Sequence, residues 1–138
     1  MLARKPEECD SLLIEALRRG DVEGAVALYE PTARFVVDSG QIAEGHSAIR
    51  EVMQGYVSAN AEFIVEKITA SPSEDGDIAL TSVKGRTRFT EPAGRVVTMA
   101  VESMEVVRRQ PDGTWLFVLD YPNRDSWREV PDSPCPAS

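Results

Sequence analysis

Between Gly20 and Arg50 the chain reads GDVEGAVALYEPTARFVVDSGQIAEGHSAIR. This is the pattern of a helix, a strand, a polar turn and the start of a second helix. It sets a strand between two helices early in the chain, so the sheet that follows has to be built around it. Asp21 follows Gly20 and can accept hydrogen bonds from the free N–H groups of a new helix. Val22, Ala25, Val26 and Tyr29 recur at helical spacing. Pro31 is expected to stop this helix, because its ring cannot continue the turn and restricts Glu30. Phe35, Val36 and Val37 are strand formers, and Asp38-Ser39-Gly40 is turn chemistry. Ala48, Ile49, Val52, Met53, Tyr56 and Val57 then form the apolar stripe of another helix, with Ser47 as its expected N-cap.

On the N-terminal side, residues 1–6 are expected to be frayed. Glu7 to Arg19 reads as a helix buried through Leu12, Leu13, Ala16 and Leu17. Its acids lie near the start and Arg18 and Arg19 near the end, which suits the helix dipole. Gly20 closes it. Beyond Asn60 the period changes to two. The segments AEFIVEKITA, IALTSVKGRTRFT, RVVTMAVESMEVVRR and TWLFVLDY read as strands, parted by the acidic loop SPSEDGD and the turns EPAG and QPDG. The last three make an antiparallel meander. Helices first and strands after is the α+β pattern. The expected organisation is a single domain over residues 7–121. Residues 122–138 carry Pro122, Pro131, Pro134 and Pro136 and read as a tail, its first half anchored by Trp127.

A chain of 138 residues is long enough for one domain with a sizeable core. Its net charge of −8 disfavours nucleic acid and anionic membrane as partners, because both would repel it. No apolar run approaches the ~20 residues that a spanning helix needs, and MLARKPEECDSLL has no apolar signal-peptide core. The expected location is the cytoplasm. Cys9 and Cys135 lie far apart and frame no disulfide scaffold. The lone His46 is expected to be exposed at a helix start, and with two remote cysteines it makes no metal ligand set. No Gly-rich phosphate loop follows a strand. Neither a metal nor a cofactor is expected.

The segments GDVEGAVALYEPTARF and GHSAIRE resemble the start of the NTF2-like superfamily, and the likeness runs on to DGTWLFVLD. SnoaL-like polyketide cyclases, ketosteroid isomerases and limonene epoxide hydrolase belong to that group. The resemblance implies a cone-shaped NTF2-like fold, with three N-terminal helices packed on a strongly curved, mostly antiparallel sheet. It implies a homodimer and a pocket for a hydrophobic small molecule. It also implies cofactor-independent acid–base chemistry of the isomerase, cyclase or dehydratase kind on a hydrophobic carbonyl compound. The alternative is a non-catalytic ligand-binding or dimerisation module.

Two carboxylates are the catalytic candidates. Asp38 ends the first strand, near where the steroid isomerases resemble one another in carrying a base; an ungapped count places Val37 there instead, and Asp38 equally suits a turn. The isomerases' oxyanion-hole tyrosine would fall near Leu13, which has no proton to donate. Asp120 ends the last strand. By strict alternation Trp115, Phe117, Leu119 and Tyr121 share one face and Leu116, Val118 and Asp120 the other. If the aromatic face is concave, Tyr121 enters the pocket and Asp120 points outward. Tyr29, Met53, Tyr56, Phe63, Met99, Trp115 and Tyr121 are the expected substrate-binding residues. Lys84, Arg86 and Arg88 form a row on one strand face, with Glu102 or Glu105 as partners on the next strand.

Overall fold

The computed structural model describes residues 1–38 and 40–132. Ser39 in the expected turn, and Pro134, Cys135 and Pro136 in the expected tail, lie outside the described residues. Three helices, α1 (Glu8–Arg18), α2 (Val22–Val26) and α3 (Gly45–Ser58), pack on a curved mixed sheet. Its strands are β1 (Tyr29–Asp38), β2 (Gln41–Glu44), β3 (Glu62–Pro72), β4 (Ile78–Thr90), β5 (Val96–Arg109), β6 (Trp115–Tyr121) and β7 (Arg128–Glu129). The order is β2-β1-β6-β5-β4-β3, with β7 beside β5. Among the described residues only the β1–β6 pairing is parallel. The α+β architecture and the meander follow the sequence pattern.

Several local expectations need correction. The second helix ends at Val26, well before Pro31. Leu28 and Tyr29 leave it because they are worth more in the sheet: both are buried, and Phe117 N–H donates to the Leu28 carbonyl at 2.8 Å. Pro31 sits inside β1, where the register with β6 is interrupted between Tyr29 and Arg34, so its missing N–H breaks no ladder. The third helix starts at Gly45, not after Ser47; Gly45 takes a φ of +84°, which a side chain would resist. Residues 1–6 are not frayed throughout: Met1, Arg4 and Lys5 are exposed, but the chain is held at Ala3. Ala3 is fully buried, and its carbonyl accepts from Trp115 N–H at 2.9 Å. Residues 122–132 fold back on the sheet. After a 3-10 turn (Arg124–Ser126), β7 takes the place beside β5 that β6 has vacated, pairing with Met99 and Ala100.

The sheet bends where a strand carries one residue too many. In β3, Val65 pairs with Gly85 but Lys67 with Lys84, so Glu66 has no partner. In β6, Phe117 pairs with Val107 but Leu119 with Val106, so Val118 is the extra residue. Such bulges sharpen the local twist and reverse the side-chain alternation beyond them. Gly85 permits the first one: a Cβ there would lie 2.1 Å from the Ile64 carbonyl oxygen. Gly85→Ala should therefore cost about 1–3 kcal/mol, the usual range for overpacking, read as a lower urea midpoint. An unchanged midpoint would mean that the strands can part there at no cost.

Candidate active site

The register lines up a row of side chains across the concave face. Thr81 on β4 pairs with Glu105 on β5, Glu105 with Asp120 on β6, and Asp120 with Phe35 on β1. Asp120 faces inward because of the Val118 bulge. Trp115 and Phe117 are buried as alternation expects, but past the bulge the phase flips, so Asp120 is buried while Leu119 and Tyr121 are exposed. The expected pairing of an inward Tyr121 with an outward Asp120 is thus reversed.

Tyr29, 1% exposed, donates its hydroxyl proton to Asp120 Oδ2 at 2.6 Å. Its ring is held by Phe117, centroids 4.8 Å apart, and by Phe35. Its backbone carbonyl is 2.7 Å from His46 Nε2, so His46 is half-buried and structural, not exposed. Glu105 accepts from Thr81 Oγ1 at 2.8 Å and from Ser103 Oγ at 2.5 Å. Asp10 descends from α1 onto this row and lies beside Glu105, where each carboxyl acts on the other's hold on its proton. Asp10 Oδ2 is buried without a partner.

Three acids are thus buried side by side, and burial dominates their chemistry. Desolvation pushes Asp120 well above the ordinary carboxyl range, with the neighbouring Glu105 adding to the rise and Tyr29 and Arg124 opposing it. Desolvation and Asp10 raise Glu105 to about 9, while desolvation raises Asp10 to about 7. Cys9 is buried too, and its thiol is pushed up to about 12, so it is a core side chain rather than a nucleophile. Among the described residues, no group of three or more His, Cys, Asp or Glu side chains is arranged to hold a metal ion.

Two cavities meet here. The inner one, about 80 Å³, is lined by Asp10, Glu105 and Asp120 together with Met53, Tyr56 and Phe63. The outer one is about 680 Å³, and Tyr56, Thr87 and Trp127 line both. The outer cavity runs between α3 and the ends of β1 and β4. Val37 lines it, whereas Asp38 is exposed at the hairpin, since Ala33, Phe35 and Val37 take the inward positions of β1. Asp38 is therefore apart from the acids it was expected to join. Met99, Trp115 and Tyr121 line neither cavity: Trp115 is buried against Ala3, and Tyr121 bonds Asn123 on the convex side. Arg86 is buried, Arg88 pairs with Glu62 and Asp132, and Lys84 lies opposite Glu102. Glu105 lies on the other face from that row.

Sequence reading missed Asp10 and misplaced Glu105. The available signal was an odd-numbered register: Val97, Met99, Val101 and Val107 mark the inward face of β5, and Glu105 falls on it. Asp10 gave no such signal, since an acid near a helix start usually serves the dipole.

The SnoaL-like domain family model matches residues 12–117. The chain belongs to the SnoaL-like family of the NTF2-like superfamily. No curated protein matches it by sequence. Several solved structures share the fold. A ketosteroid isomerase-like protein from Erwinia carotovora atroseptica superposes with a TM-score of 0.64 at 19% identity, over 83% of this chain and 89% of that one. An NTF2-like protein with a cystatin-like fold from Novosphingobium aromaticivorans gives 0.66 at 16% identity, over 83% and 75%. An epoxide hydrolase/cyclase-like enzyme of pyran ring formation in salinomycin gives 0.61 at 18% identity, over 83% and 86%. At such identities the likeness is one of fold. Among the described residues of this SnoaL-like chain, no helix is long and apolar enough to cross a membrane.

The buried acids make stability depend on pH in an unusual sense. Their folded-state affinity for protons is raised, so the folded chain holds protons that the unfolded chain has released. Stability then falls as pH rises from the ordinary carboxylate range, near ~4, toward the value of about 9 for Glu105, by at most ~1.4 kcal/mol per pH unit per proton. Urea midpoints of the wild type should drop between pH 6 and 9, and Glu105→Gln should flatten that drop. A wild-type midpoint that stays level would contradict the neutral buried acids.

Proposed function

We propose that this SnoaL-like protein is a cofactor-independent acid–base catalyst acting on a hydrophobic carbonyl compound, with Asp120 as the proton-transferring group. The observation that carries this reading is the buried Tyr29–Asp120 hydrogen bond at an internal cavity. A carboxyl held well above its usual range keeps its proton to higher pH and can donate it; its ionised form is a stronger base than an exposed aspartate. Tyr29 fixes one carboxyl oxygen and leaves the other for the substrate. Tyr56 lies between the two cavities. Its oxygen accepts from Arg124 Nη2 at 2.6 Å, so its own proton remains available to a carbonyl oxygen. Burial raises Tyr56 above its ordinary value, which keeps it a neutral donor. Removing an α-proton builds charge on that oxygen, where a preplaced donor is most effective. Return of the proton at another carbon gives isomerisation; loss of a β-substituent gives dehydration. Phe35, Met53 and Phe63 supply the apolar wall that such a compound requires.

The test is exchange of α-protons in D2O, followed by NMR over a panel of cyclic ketones and enones. The wild type should accelerate exchange for at least one. Asp120→Asn should lose roughly 10²–10⁴-fold, the usual worth of a positioned acid–base group, and Tyr29→Phe should lose less. Undiminished exchange in Asp120→Asn would remove the catalytic role and leave the reading of a non-catalytic binding module.

The protein is also proposed to act as a homodimer. Leu80, Met104, Leu119 and Tyr121 are exposed on the convex face, where Leu80 adjoins Val106, Val106 adjoins Leu119 and Met104 adjoins Tyr121. A clustered apolar face of this kind calls for cover, and a second copy related by a two-fold axis supplies it. Sedimentation at micromolar concentration should give twice the 15.2 kDa of one chain, and Leu80→Arg should give monomers. A monomeric wild type would refute this.

A further inference from the structure

Arg124 differs from the arginines around it. Most pair with a carboxylate, as Arg50 does with Glu23 and Arg108 with Glu30. Among the described residues Arg124 makes no ion pair, although the chain carries an excess of eight negative charges. Its guanidinium is clamped between two aromatic rings, 5.0 Å from the Tyr56 centroid and 5.9 Å from that of Trp127. Nη2 donates to Tyr56, while Nε is buried with no acceptor. A guanidinium has five donors in a rigid plane, and the buried Nε–H is one that this fork leaves unsatisfied. The acid in its field, Asp120, accepts from Tyr29 and makes no ion pair with Arg124.

This cation forms part of the wall of the 680 Å³ cavity, whose remaining lining includes Val37, Ile42, Val52 and Phe89. The one acid in that lining is Glu51, which is exposed. A cavity of this size accommodates a compound of two or three rings. A single rigid cation in an apolar wall matches a single planar anion, and the bidentate geometry of a guanidinium matches a carboxylate. A group of higher charge would leave part of that charge unpaired beside Glu51.

We infer that the outer cavity binds an apolar carboxylic acid in its ionised form, the carboxylate pairing with Arg124 and the hydrocarbon body lying along Val37, Val52 and Phe89. This rests on the reading of the cavity as a substrate site and narrows the substrate class: the carbonyl compound carries its own carboxylate, which is held close to Tyr56 because Arg124 Nη2 bonds the Tyr56 oxygen.

Binding of naphthoate and of naphthamide, matched in shape and differing in charge, tests this by calorimetry at pH 7. The wild type should bind naphthoate roughly tenfold tighter or more, as one desolvated ion pair would give. Arg124→Gln should abolish that preference while leaving naphthamide affinity unchanged, Arg124→Lys should keep part of it, and added salt should weaken naphthoate alone. Asp120→Asn should keep the full preference even where proton exchange is lost, so that failure of the chemistry and failure of the anion site are read separately. Equal affinity for the two probes in the wild type, binding of neither, or a preference that survives Arg124→Gln would overturn the inference.

Discussion

A β-strand alternates its side chains between two faces, and only an inserted residue can break that alternation. The interior of this protein depends on two such insertions. Glu66 lets β3 bend over Gly85, where no Cβ fits, and Val118 turns β6 so that its last acid enters the cone. Bending and phase reversal are one event. The curvature that encloses a cavity therefore also selects which side chains reach it. Without the Val118 bulge, Leu119 would take the inward place of Asp120 and Tyr29 would have no acceptor.

The architecture was readable because its signals are repeated. Three amphipathic stripes and four period-two segments each carry many residues, so the order helix, helix, strand, helix and then sheet survives errors at any one position. The site was not readable in the same way, since it hangs on single-residue offsets. Strict alternation put Asp120 outside, and one unpaired valine reversed it. Asp38 suited both a turn and a base, and the alternation of Ala33, Phe35 and Val37 leaves it at the hairpin. Pro31 suggested a helix end, but the pull of the sheet on Leu28 and Tyr29 ended the helix earlier. His46 and Asp10 carried polar signals of the surface, and tertiary packing half-buried the first and buried the second.

The interior places three carboxyls next to one another with hydroxyls as their immediate partners. Thr81, Ser103 and Tyr29 can satisfy a carboxyl without neutralising it. Burial of acids so placed raises their hold on protons. The same burial works against folding at alkaline pH, the kind of cost that functional sites commonly carry. Arg124, which makes no ion pair among the described residues, adjoins this row through Tyr56.

The family match ends at Phe117, yet Asp120, Arg124 and Trp127 all come after it. The last described stretch, 118–132, folds back on the sheet and supplies one of the three buried acids, the cation and the indole wall. The helices and meander enclose a vessel that many sequences can build, while this short strap adds lining groups from beyond the family match. Exchange of that strap between relatives would be a route to new specificity that leaves the scaffold untouched.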